Sequence, residues 1–312
     1  MRLRILLTGK RGQIGAKLAA LLPRLGDVAA FDRHELDLLN PAHVRRAIRD
    51  AQPNMIVNAA AYTSVDQAER EEKQARIINV DAPAVMAEEA KRIGASLVHY
   101  STDYVFDGSS SLPYTETDQP NPINVYGKTK LAGEEAIRAV GAQHLIFRTA
   151  WVYGTTGRNF LLTVLRLLTE REELKVVHDQ FGAPTWSQEI ATSTERILRQ
   201  LSQQGRDSIS KFGGTYHMTA AGKTSWFEFA KMILEEASRM PRGIPWFETA
   251  TKGQPLVTRC VTAITTEEYP TPARRPSYSV LSNSRLKQDF GFELPAWSLQ
   301  LGAVFAQGRP NG

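Results

Sequence analysis

The chain of 312 residues is short of several things, and each shortage narrows what it can be. It holds a single cysteine, Cys260, so no internal disulfide forms and a reducing, cytoplasmic setting is expected. No stretch of about 18 apolar residues occurs, so no membrane-spanning helix is expected. The apolar start at residues 3–7 runs straight into a glycine turn and reads as a first strand rather than a signal peptide. The net charge of +5 is spread thinly, with no dense Lys/Arg block. That argues against nucleic acid and for an anionic small ligand. The six histidines are scattered, and no His/Glu/Cys cluster has metal spacing. No G-x-S-x-G elbow is present, so nothing points to an acyl-enzyme. Repeats and low-complexity tracts are absent as well.

What is present is a strand–helix alternation. Apolar runs at 4–8, 28–31, 55–58, 97–101 and 144–148 read as strands. Between them, 16–22, 41–50, 82–93 and 126–140 read as helices, with Pro41 at a favourable first position and Gly94 as a stop. Residues 107–122 form a long Gly/Ser/Pro/Asp loop. This rhythm predicts an α/β fold of the doubly wound Rossmann type. After Trp151 it loosens. Helices are expected at 160–169, 186–200 and 225–238, and short strands near 174–177 and 215–218. Residues 241–276 are rich in Pro and Thr and poorly periodic. The predicted division is a dinucleotide-binding domain at 1–150, to which the chain returns around 158–212. Most of 151–312 would form a smaller α/β substrate lobe covering the strand ends.

Gly9-x-x-Gly12-x-x-Gly15 follows the first strand and opens a helix, as a dinucleotide turn does. Gln13 and Ile14 would lie under the pyrophosphate at the helix N-terminus. Asp32 ends the second strand, where a carboxylate can bond the ribose 2′-hydroxyl of NAD. Arg33, Lys10 and Arg11 would instead suit a 2′-phosphate. Asp37-Leu38 is placed for adenine contact, though Asp37 equally suits a helix N-cap. Ala61-Tyr62-Thr63 follows the third strand, where small residues let a cofactor pack on backbone. Asn79 precedes a helix and reads as a cap. Thr102 ends the fourth strand, with Tyr100 before it and Asp103 and Tyr104 after. Tyr126 and Lys130 are four apart and share one helix face. A phenol beside an ammonium is a usable proton donor near neutral pH. Thr102, Tyr126 and Lys130, in that order behind a glycine turn, suggest hydride transfer at a carbonyl.

These residues resemble the extended short-chain dehydrogenase/reductases, and within them the dTDP-4-dehydrorhamnose reductase family. The matching segments are 9–15 (GKRGQIG), 57–66 (VNAAAYTSVD), 99–106 (HYSTDYVF), 124–134 (NVYGKTKLAGE), 147–153 (FRTAWVY), 182–185 (GAPT) and 269–276 (YPTPARRP). The resemblance implies NADPH- or NADH-dependent reduction of the C4 ketone of a dTDP-4-dehydro sugar, the last step of dTDP-L-rhamnose synthesis. It implies that Tyr126 donates the proton, that Lys130 holds the nicotinamide ribose and lowers the Tyr126 pKa, and that Thr102 bonds the carbonyl oxygen. Val65, Asp103, Tyr104 and Trp151 would line the sugar, and Arg275, with Arg274, would meet the diphosphate. Two other readings share the fold: another nucleotide-sugar reductase or epimerase, such as one forming 6-deoxytalose, and a non-catalytic regulatory subunit. The retained tyrosine and lysine argue against the subunit. Some members of the family bind a divalent metal through glutamates at a dimer interface. Lys17 and Ser298 stand where two of those glutamates would be, with Gln188 or Glu189 near the third. No metal is therefore expected, and the chain is read as a monomer or a metal-independent dimer.

Overall fold

The computed structural model describes residues 2–204 and 208–307. Six parallel strands form the central sheet. In chain order these are β1 (Leu3–Thr8), β2 (Gly26–Phe31), β3 (Met55–Asn58), β4 (Ser96–Thr102), β5 (His144–Thr149) and a sixth at Gly214–His217. In space they run Gly214–His217, β5, β4, β3, β1, β2. The order reverses at β1, which pairs with β2 on one side and β3 on the other. Open α/β sheets leave a crevice at such a switch point. Sequence order is thus enough to place the glycine turn, at the end of β1, beside that crevice.

Helices cover both faces, and the strand residues alternate between two cores. Ile5, Leu7, Val57, Val98 and Phe147 pack under α1 (Gln13–Leu21) and the helix Ser187–Gln203. Leu6, Ile56, Leu97 and Ile146 pack on the opposite face under α2 (Pro41–Ala51). Two short helices follow on this side, α3 (Val65–Ala68) and α4 (Glu72–Arg76), then a wide turn of helix at Ile77–Asp81. The longer α5 (Ala82–Ile93) and α6 (Val125–Val140) complete the layer. Each of these named strand residues is buried, as a sheet packed on both faces requires.

A second core lies apart from the sheet. It is built from the helices Phe160–Leu168, Trp226–Ser238, Pro245–Thr251 and Trp297–Ala306 and the parallel pair Glu173–Val177 with Cys260–Ile264. The stretch 241–276, poorly periodic in sequence, supplies one helix and one strand of this lobe. Among the described residues no helix is long and apolar enough to cross a membrane.

Candidate functional site

The glycine turn is backbone-limited throughout. Gly9 has φ +75°, and a Cβ there would lie 2.9 Å from the Ala59–Ala60 peptide. A Cβ on Gly15 would lie 2.1 Å from the Gly9 carbonyl, so the third glycine lets the helix close on the turn itself rather than on the sheet. Gly12 is the N-cap of α1 and offers no side chain to the first N–H groups. Those donors, aimed by the helix, suit a pyrophosphate. Gln13 uses its side chain elsewhere: its carbonyl accepts Asn159 at 3.0 Å and its amide reaches Val152 and Arg158 carbonyls at 3.4 Å. Ile14 packs into the first core.

At the end of β2, Asp32 is buried, and both carboxylate oxygens are engaged. One accepts the His34 backbone N–H at 2.8 Å; the other meets Arg11 at 2.7 Å. The backbone N–H groups of His34 and Glu35, aided by Arg11 and Lys10, hold the carboxyl below its ordinary range. Lys10 pairs with Glu35 at 2.6 Å, and Arg33 is exposed beside them. The N-cap alternative for Asp37 does not hold. Asn40 caps α2 through His43, while Asp37 accepts the Leu39 N–H in a tight turn and Leu38 is buried in the second core.

After β3 the segment 61–63 is clasped by Asn79. This side chain accepts the Tyr62 N–H at 2.9 Å, and donates to the Tyr62 carbonyl and to Thr129 at 3.1 Å each. Asn79 lies inside the wide turn Ile77–Asp81 and is not the cap expected of it. Val65 opens α3 just beyond.

The polar set converges at the end of β4. Gly127 lets α6 approach: a Cβ there would lie 2.1 Å from the Tyr104 carbonyl. Tyr126 therefore sits beside Tyr104, ring to ring at 5.9 Å in an edge arrangement. Burial pushes its phenol up to about 12, with Thr102 drawing it down and Asp103 driving it further up. Lys130, 1% exposed, donates to the Tyr100 carbonyl at 2.6 Å and stands 3.1 Å from His99 Nε2. Burial pushes its ammonium down to about 8, and Glu134 pulls the other way. The lowering of the Tyr126 pKa by Lys130 is thus not what this structure presents, because the ammonium is turned towards β4. Asp103 is buried; one oxygen accepts Thr102 at 3.0 Å and the other has no hydrogen-bond partner. Burial pushes this carboxyl up to about 7 against the pull of Ser279 and Thr102.

Trp151 has φ +48°, a strained value for a bulky residue. Its indole stacks on Trp226 at 3.4 Å and lies against Gly182, where a Cβ would come within 2.4 Å of the ring. Arg275 departs from expectation. Its guanidinium forms a two-pronged pair with Asp66, at 3.1 and 2.7 Å, and also bonds Thr271 and the Ala273 carbonyl. It ties the loop 271–275 to α3 rather than standing free for a phosphate. The next carbonyl back, of Arg274, is bonded by Asn124, the N-cap of α6.

Sequence reasoning missed Asn58, His99, Glu134 and Arg148. Glu134 is fully buried and receives Arg148, Arg138 and Ser101. The spacing 126, 130, 134 on one helix face could have flagged it.

Comparison with known proteins agrees with this geometry. A family model described as the RmlD substrate binding domain matches residues 2–309. The dTDP-4-dehydrorhamnose reductase of Burkholderia thailandensis is 47% identical over 96% of this chain and 97% of its own length. That of Escherichia coli is 44% identical over 95% of this chain and 94% of its own. Among solved structures, the Bacillus anthracis dTDP-4-dehydrorhamnose reductase in complex with NADP superposes with a TM-score of 0.85. It is 35% identical, over 98% of this chain and 99% of that one. A full-length match in sequence and in structure leaves one conclusion: the chain belongs to the dTDP-4-dehydrorhamnose reductase family.

Proposed function

We propose that this protein reduces the C4 ketone of dTDP-4-dehydro-L-rhamnose to dTDP-L-rhamnose with NADPH or NADH. The observation that carries the reading is the meeting of Thr102, Tyr126 and Lys130 at the end of β4, on the edge of the sheet where the glycine turn lies. The dinucleotide would be held by the 9–15 turn, Asp32, Arg33, Asp37-Leu38, segment 61–63 and Lys130. Residues 1–150, with the helix and strand at 187–217 and the helix Ser284–Phe290, would form the cofactor side; most of the remaining chain would form the substrate lobe.

A bound NAD(P)H supplies the hydride. Tyr126 gives its proton to the carbonyl oxygen as negative charge develops there, and Thr102 would donate to the same oxygen once its hydroxyl turns from Asp103. A phenol near 12 is fully protonated at pH 7 and ready to donate. Once Lys130 turns from the Tyr100 carbonyl to a bound nicotinamide ribose, its positive charge, one turn away, would favour the phenolate left behind. Tyr104, Asp103, Val65 and Trp151 wall the sugar, and the strained Trp151 backbone is held by its stack on Trp226. Arg275 acts from further back, by fixing the loop that walls the site.

The test is a coupled assay with dTDP-4-dehydro-L-rhamnose and each cofactor, followed at 340 nm, with product identification. Consumption of one cofactor per dTDP-L-rhamnose is expected. Steady absorbance with sugar interconversion would make the chain an epimerase, and no turnover at all would favour a binding subunit.

A further inference from the structure

Behind Lys130 three buried groups meet whose donors and acceptors cannot all be matched in their ordinary forms. Asn58 Nδ2 lies 3.0 Å from His99 Nδ1, and His99 Nε2 lies 3.1 Å from Lys130 Nζ. The Asn58 amide is not free to turn over. Its Oδ1 accepts the Ala60 backbone N–H at 3.3 Å, a group that only donates, and the Thr8 hydroxyl at 2.6 Å. Reversed, it would set N–H against N–H. Nδ2 therefore donates to His99, and Nδ1 carries a lone pair. A neutral imidazole has one proton, which must then sit on Nε2 and point at Lys130. An ammonium has only donors, so it cannot receive that proton. No solvent relieves the conflict: Thr8, Asn58, His99 and Lys130 are 2%, 1%, 0% and 1% exposed. An imidazolium would face donors on both sides, and burial holds His99 well below its ordinary range.

We propose that Asn58 is a positioning residue: by fixing His99 as the Nε2–H tautomer, it favours the neutral amine of Lys130 over the ammonium in the cofactor-free protein. The amine accepts from His99 and still donates to the Tyr100 carbonyl. The other polar groups around it have their own partners. Glu134, one turn on, is held by Arg148 and Arg138. Tyr126, one turn back, keeps its proton, and the charge of Asp103 bears on Tyr126. His144, on the neighbouring strand, bonds the Ala142 carbonyl. The consequence for the reaction, resting on the function proposed above, is that the positive charge beside Tyr126 is reduced until the site is filled.

The experiment is 15N NMR of histidine-labelled, cofactor-free protein between pH 6 and 9. His99 is expected as the Nε2–H tautomer throughout; an Nδ1–H tautomer or an imidazolium overturns the proposal. Asn58→Asp replaces the donor facing Nδ1 by an acceptor. It should switch His99 to Nδ1–H and raise the titration of Lys130 by a unit or more in 13C-lysine spectra. A soluble Asn58→Asp protein with an unchanged tautomer also overturns it. If that variant does not fold, the tautomer in the unaltered protein still decides. Because the tautomer is read without substrate, it can fail while the reductase assay succeeds, and the reverse.

Discussion

Replacing Glu134 by glutamine is expected to destabilise the fold by about 3–5 kcal/mol, the cost of breaking a buried ion pair from one side. The structure shows why the cost falls in that range. Glu134 is fully buried and receives four hydrogen bonds: Arg148 Nε at 2.9 Å, Arg148 Nη2 at 2.7 Å, Ser101 at 2.5 Å and Arg138 at 3.1 Å. An amide keeps one acceptor and turns the other into a donor aimed at a donor. Arg148, 3% exposed, then keeps a buried charge without a counter-charge, and its Nη1 already lacks a partner. At roughly 2–4 °C per kcal/mol, the midpoint should fall by roughly 6–20 °C. Thermal and urea unfolding at pH 7.5, followed by circular dichroism, measure this. The paired change Glu134→Leu with Arg148→Met should recover most of the loss, because neither charge then remains. The pH dependence has a definite sign. Burial alone would raise the Glu134 carboxyl, but Arg148, Ser101 and Arg138 hold it below its ordinary value. Its contribution is complete above the unfolded carboxyl range and is lost as pH falls through the lower folded value. The variant should therefore lose less stability on acidification than the parent. A loss below about 1 kcal/mol, the worth of an exposed pair, would refute the reasoning.

Tyr126→Phe should lower turnover by about 10²–10⁴-fold while nucleotide binding, read by fluorescence titration, persists; near-normal turnover removes Tyr126 from its role. Both NADPH and NADH should support reduction, since Asp32 and Arg11 sit together at the end of β2. A preference beyond about three orders of magnitude, roughly 4 kcal/mol, would contradict this, as would an Asp32→Ala protein whose preference does not move towards NADPH. The kcat profile should bend downward above pH 7, where the Asp103 carboxyl ionises and its charge opposes the phenolate. Asp103→Asn should abolish that bend, and its survival would assign it elsewhere. EDTA should change neither turnover nor sedimentation, because lysine and serine stand at positions 17 and 298 where a bridging cation needs carboxylates; dissociation of a dimer by EDTA would refute this.

Legibility in the sequence followed the range of each interaction. The strand Met55–Asn58 and the helix Ala82–Ile93 were readable to the residue, because apolar period, Pro and Gly are local signals. The short helices at 65–68 and 72–76 and the wide turn at 77–81 were not, since no single period runs through them. Thr102, Tyr126 and Lys130 could be named from order and spacing. What Lys130 touches could not, because His99 is 31 residues away and Asn58 a further 41. The Asp66–Arg275 pair spans 209 residues, so the arginine looked free for a phosphate.

The Trp151–Trp226 stack has an optical consequence. Two indoles lying within 4° of parallel at 3.4 Å share their excited states, so they absorb and emit as a pair unlike the other three tryptophans of the chain. One partner stands at the wall of the proposed sugar site and the other opens the helix Trp226–Ser238 of the second lobe. Near-ultraviolet circular dichroism thus carries a built-in signal for the spacing between site and lobe, and occupancy can be followed without a label.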